Sequence, residues 1–173
     1  MTPRSAIAIR LLASALLLFV AAPLAAQSST RSARLFTIAP GVAALQIGDL
    51  NGTAVGPTLQ MARRLGNHLA IDGVFTAYLS SDGFYDFSGL SLDLGLSYLV
   101  RGPSYALAFG AGGAAIVGGD SDGTGGAFAG GYVGTTATYW FSERAGVTSR
   151  GTYRMLSAER GGLGIAGGIA FTL

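Results

Sequence analysis

The groups in this chain that could do ionic or acid–base chemistry are few: one His, seven Tyr, nine Asp and Glu, and eleven basic residues, all of them Arg. There is no Cys, which excludes a disulfide framework, a thiolate zinc site and an iron–sulfur cluster. A single His excludes a His-rich metal centre. His68 could act as a general base only with a nucleophile and an acid beside it. It follows Asn67 at a turn signal, with no His-x-Ser pair in the chain. Residues 119–126, Gly-Asp-Ser-Asp-Gly-Thr-Gly-Gly, resemble a calcium turn. Calcium takes about six to eight oxygens, usually with a distal carboxylate, and only Asp120 and Asp122 are present, so this stretch reads as a polar loop. No Gly-Lys-Ser or Gly-Lys-Thr follows the glycine-rich stretches, so none is a phosphate loop. No cofactor is called for. The chemistry left is the pairing of opposite charges, and its candidates are Arg64, Asp72, Asp93, Arg150 and Arg154.

Residues 1–26 have the three parts of a secretory signal peptide. Arg4 and Arg10 supply the positive start, Leu11 to Ala22 an apolar core broken only by Ser14, and Pro23, Ala25 and Ala26 a small-residue cleavage site before Gln27. The apolar run is shorter than the roughly 20 residues of a spanning helix. Sec export and a folded domain over 27–173 are expected. Without the signal, nine Arg face nine acidic residues, so no basic surface for nucleic acid is expected. Charged residues are only 12% of the chain, against about 25% in an average domain. All 28 Gly lie beyond residue 26, which argues against long helices, where each costs about 1 kcal/mol.

Alternation with period two is the dominant pattern. Leu90, Leu92, Leu94, Leu96 and Tyr98 share one face, with Ser91, Asp93, Gly95 and Ser97 on the other. The last segment sets Leu163, Ile165, Ile169, Phe171 and Leu173 against Gly162, Gly164, Ala166, Gly168 and Ala170. Turn signals between such runs predict eight strands, over 34–47, 54–64, 68–79, 89–100, 104–117, 127–141, 145–156 and 162–173. Most exceed the usual 5–6 residues or so and reach the roughly 9–11 of a tilted bilayer-crossing strand. Pro40 and Gly41 interrupt the first strand, where a bulge is expected. Tyr139, Trp140 and Phe141 leave the facing of the sixth strand ambiguous.

A soluble barrel would carry charge outside. Here the less apolar face is mostly Gly, Ala, Ser and Thr, which suit the interior of an eight-stranded barrel, while the aliphatic face suits lipid. With both termini on the periplasmic side, Phe36, Tyr98, Tyr105, Tyr139 or Trp140, Phe141 and Phe171 fall at one height, as an interfacial girdle does; Trp140 is the sixth-strand choice. Inward phase places Thr58, Gln60 and Arg64 in the lumen from the second strand, and His68, Asp72, Thr76 and Tyr78 from the third. Ser91, Asp93 and Ser97 follow from the fourth, and Arg150, Thr152 and Arg154 from the seventh. Buried charges must pair. A lumen network of Arg64, Asp72, Asp93, Arg150 and Arg154 is expected, with Asp93 opposite Arg150 at a similar height, plugging the barrel.

The third- and fourth-strand patterns, the stretch YWFSERAGVTSRGTYRM (139–155) and the terminal GGIAFTL (167–173) resemble the small Gram-negative outer-membrane β-barrels, the OmpA-like and OmpX-like eight-stranded superfamily. The resemblance covers most of residues 34–173. It implies an all-β, antiparallel, up-and-down transmembrane barrel. It also implies a Gram-negative outer-membrane location, monomeric, in contact with lipid and lipopolysaccharide. Phe171 matches the signal read by the barrel-assembly machinery, although the chain ends in Leu173 rather than an aromatic. The expected role is non-enzymatic, in envelope integrity or surface interaction. The alternatives are a lipid-modifying barrel enzyme of the lipid A deacylase kind, and a soluble periplasmic lipocalin-like carrier.

Overall fold

The computed structural model describes residues 36–47, 53–79, 88–119, 125–157 and 160–173. The signal segment 1–26 and the Asp120/Asp122 loop lie outside them. Eight strands run in chain order: β1 (Phe36–Ile47), β2 (Thr53–Arg64), β3 (Leu69–Tyr78), β4 (Ser88–Arg101), β5 (Tyr105–Gly119), β6 (Gly125–Trp140), β7 (Ala145–Leu156) and β8 (Arg160–Thr172). Each pairs antiparallel with its chain neighbour, and β8 returns to β1 to close the barrel. Closure gives every strand a partner on both sides, which is what strands of this length need to satisfy their backbone.

At one end, the turn end, three short connections are held by their own hydrogen bonds. The Leu65 N–H donates to the Leu69 carbonyl at 2.9 Å and the Gly102 N–H to Tyr105 at 3.0 Å. Ser142 Oγ accepts from the Ala145 N–H at 2.9 Å, capping the third. The chain ends meet there too, where Leu173 N–H donates to the Phe36 carbonyl at 3.2 Å.

The expected bulge at Pro40–Gly41 is not formed. The β1–β2 pairing runs unbroken through Ala39↔Gln60, Pro40↔Leu59 and Gly41↔Thr58. The β1–β8 pairing breaks off after Ile38↔Phe171 and resumes at Gly41↔Gly168 with the same offset. Proline cannot donate to the ladder, so bonding is lost locally while register is kept. Close backbone approach makes this feasible: a Cβ on Gly168 would overlap the Pro40 carbonyl oxygen. Side-chain alternation also continues, with Val42 outside and Leu45 inside. The apparent slip in phase is an apolar residue on the inner wall.

Outward positions form an exposed aliphatic belt, with Leu90, Leu92, Leu94 and Leu96 on β4 and Leu163, Ile165 and Ile169 on β8. Tyr98, Tyr105, Phe141 and Phe171 stand exposed at the turn end, and Phe36 is half-buried there. Trp140 is a correction to the sequence reading: it is 5% exposed and packs inside with Ala39 and Ala170. The phase of β6 is set by Tyr132, whose ring is buried in the lumen, so the even-numbered residues point in. Tyr139 takes the outer place, opposite Tyr105.

Inner-face volume is rationed where strands pass closely. Gly95 and Gly112 are partners across β4 and β5, and a Cβ on Gly112 would overlap the Leu94 carbonyl oxygen and Gly95 Cα. On the outer face, the nearest atom to a Cβ on Gly113 is Gly130 O at 4.0 Å. Gly112→Ala is expected to destabilise the barrel by about 1–3 kcal/mol, the usual cost of overpacking. Gly113→Ala should stay within about 0.5 kcal/mol of the parent. Urea titration of the folded barrel, read on a heat-modifiability gel, compares the two; equal effects would mean that the inner face is not the tight one.

Candidate functional site

The lumen divides along its axis. Toward the loop end, opposite the turns, Ala43, Leu45, Ala54, Tyr78, Ala114, Ile116, Tyr132, Leu156 and Ala166 form an apolar cluster with Phe128 against it. At its lower edge two carboxylates meet two guanidiniums. Arg154 of β7 grips Asp93 of β4 with two parallel bonds, Nε to Oδ1 at 2.9 Å and Nη2 to Oδ2 at 2.7 Å. Arg150 of β7 reaches across the barrel to Asp72 of β3, Nη1 to Oδ2 at 2.8 Å. Asp72 also accepts from Ser97 Oγ of β4 and, at 2.8 Å, from Tyr132 OH of β6. The Arg150 guanidinium lies 5.0 Å over the Tyr132 ring. Four strands on opposite walls are thereby tied at one carboxylate. All four charged side chains are at most 8% exposed, so each depends on its partner in place of water.

Three expectations change. The sequence places Asp93 opposite Arg150, but in the structure Asp93 meets Arg154 and Asp72 takes Arg150. Both Arg belong to one inner row of β7, four residues apart with Thr152 between them, and the stagger between strands moves the partner of Asp93 by those two inner positions. Among the described residues Arg64 belongs to no such pair: its Nε donates to the Gly66 carbonyl at 2.6 Å, in its own turn. His68 precedes β3, is exposed and stacks on the outward Tyr98 ring at 5.6 Å, its Nδ1 3.3 Å from Leu99 O; the turn takes it out of the lumen phase. Thr58 and Thr76 share a hydroxyl contact of 2.9 Å on the inner wall, and Gln60, Tyr78, Ser91 and Thr152 are also buried. Sequence reasoning missed Tyr132. Alternation read back through Gly134 and Gly130 would have found it.

Toward the turn end the lumen opens into a cavity of about 430 Å³. Asp72 and Arg150 lie at its inner end, Thr136, Thr138 and Trp140 on its wall, and Arg64, Asn67 and Arg101 at the turns. Among the described residues, no three His, Asp or Glu side chains group as a metal site would require.

Breaking either ion pair from one side should cost about 3–5 kcal/mol, because the other charge is stranded. Double-mutant cycles in urea should show strong coupling for Asp93→Ala with Arg154→Ala and for Asp72→Ala with Arg150→Ala. Coupling between Asp93→Ala and Arg150→Ala should be smaller than either; the reverse order would contradict the pairing described.

No protein-family model and no curated protein matches the chain. Among solved structures it is similar to Neisserial surface protein A, with a TM-score of 0.64 at 13% identity, over 80% of this chain and 97% of that one. It is similar to the outer membrane protein OprG from Pseudomonas aeruginosa, with 0.63 at 13% over 80% and 95%. Ail, the attachment invasion locus protein of Yersinia pestis, gives 0.61 at 11% over 80% and 97%. At such identities the likeness is one of fold: the chain has the closed, eight-stranded antiparallel architecture of the small outer-membrane β-barrels.

Proposed function

We propose that the protein is a non-enzymatic barrel of a Gram-negative outer membrane, exported by the Sec route with residues 1–26 removed, and that it serves envelope integrity or surface interaction. The observation that carries this is the inversion of a soluble barrel. Leu94 and Leu96 are more than half exposed while Asp93, on the opposite face of the same strand, is fully buried in the lumen. Lipid is the solvent that makes such an exterior favourable. The exposed Tyr98, Tyr105, Phe141 and Phe171 would sit at the periplasmic interface, with lipopolysaccharide and lipid as partners of a monomer. The cross-wall ion pairs and the apolar cluster above them would keep the lumen closed to ions. Two of the similar structures, named as a surface protein and an attachment invasion locus protein, favour a surface role. The enzyme alternative is weakened by His68, which lies against Tyr98 and Leu99 rather than beside a serine.

The protein should pellet with outer membranes, resist urea extraction, shift mobility on heating, and show little conductance in a planar bilayer. Recovery as a soluble periplasmic protein would sink the membrane reading, and a large stable conductance would point to a porin. Leu94→Arg should cost about 2–4 kcal/mol of stability in bilayers, as charges near the midplane do, and an unchanged unfolding midpoint would mean that Leu94 does not face lipid.

A further inference from the structure

The turn-end cavity is lined by hydrogen-bond donors that the fold does not use. Among the described residues, the buried side-chain atoms without a partner include Gln60 Nε2, Arg64 Nη1, Arg150 Nε and Arg150 Nη2, and all three residues line this cavity. Gln60 and Arg150 are each only 7% exposed. Each of these four atoms is an N–H donor. The two lumen carboxylates are already committed, Asp72 to Arg150 Nη1 and Asp93 to Arg154.

The chain itself shows what this donor set accepts. Arg154 uses its Nε and Nη2 together to hold a carboxylate, that of Asp93, in two parallel bonds. Arg150 spends Nη1 on Asp72, which leaves the same Nε–Nη2 edge buried at the inner end of the cavity. That fork matches the two oxygens of a planar carboxylate. The walls around it set Ala39, Ala70, Ala106, Ala108 and Trp140 among the hydroxyls of Thr136, Thr138 and Thr148, and a volume of about 430 Å³ falls in the range of small-molecule sites. Arg64 and Arg101 line the cavity near the turns, anchored to the carbonyls of Gly66 and Asn67, so an entering anion meets positive charge first.

We propose that the turn-end half of the lumen is a binding pocket for a small organic carboxylate with a short apolar body, gripped by the Nε–Nη2 edge of Arg150 and the Gln60 amide and admitted past Arg64 and Arg101. The pocket stands on the lumen geometry alone and holds whether or not the surface role does.

Calorimetry on the folded protein in lipid nanodiscs, with protein-free nanodiscs as blank, tests it using hexanoate, hexylammonium and inorganic phosphate. The only Trp of the chain, Trp140, lines the cavity and reports locally by its emission. Hexanoate should bind saturably and shift Trp140 emission, phosphate should bind more weakly, and hexylammonium should not bind. Gln60→Leu, checked for folding by heat modifiability, should weaken hexanoate at least tenfold. Should it not fold, Arg64→Gln carries the same expectation. Arg63→Gln, on the outer face of β2, should leave binding unchanged. Absence of saturable hexanoate binding, equal binding of hexylammonium, tighter binding of phosphate, or hexanoate binding untouched in the folded pocket variant would each overturn the proposal.

Discussion

An eight-stranded barrel encloses a lumen only about as wide as its own side chains can fill, and every second residue of every strand has to fit there. The consequence is a trade between neighbours: a large or charged group stands inside only where the facing wall gives up volume. Tyr132 has its hydroxyl where a Cβ of Gly95 would be. Ser97 Oγ crowds the Cβ position of Gly110, and the Arg154 guanidinium that of Gly164. The glycines of the inner wall are the space in which the polar network sits.

The network in turn constrains the wall. A buried ion pair adds little net stability, since desolvation offsets most of the Coulomb gain. Its stronger effect is on alternatives to the native register. Sliding β7 by two residues against its neighbours would keep its inner face inside but carry Arg150 and Arg154 away from Asp72 and Asp93, stranding four charges. Small-residue strands specify register weakly by packing alone, and much of β5, β6 and β8 is Gly and Ala. Asp72, which takes donors from β4, β6 and β7, supplies β6 with specificity that its small residues lack.

The strands are legible in the sequence because turn residues recur between alternating runs. The segment 145–156 agrees to the residue, and the other strands differ only by one or two at their ends. What a period of two cannot carry is the height of one strand against another across the lumen. That depends on the stagger accumulated around the barrel, and it is why Asp93 meets Arg154 rather than Arg150. Nor does alternation mark an apolar residue that belongs inside: Leu45, Ile116 and Leu156 fill the loop-end lumen although an aliphatic side chain reads as lipid-facing. Trp140 follows the same logic, since adjacent aromatics at 139–141 supply a candidate for both faces and only the distant Tyr132 decides between them.

The two arginines of β7 also explain why the lumen is filled in one half and hollow in the other. Arg154 lies by the packed cluster, against Tyr78 and the apolar wall, where water has little room. There its Nε–Nη2 edge must be paired within the protein, and Asp93 does so. Arg150 has only Nη1 on a carboxylate. A guanidinium half-paired in a packed core would cost several kcal/mol, and the inner row of β7 offers Thr148 and Thr152 as examples of what could stand there at less cost. The cavity eases the conflict, because Arg150 borders open space there and is not enclosed on that side by packed apolar side chains. Filling the turn-end lumen with aliphatic bulk would therefore strand Arg150, so the hollow and the half-paired arginine are one feature of the fold.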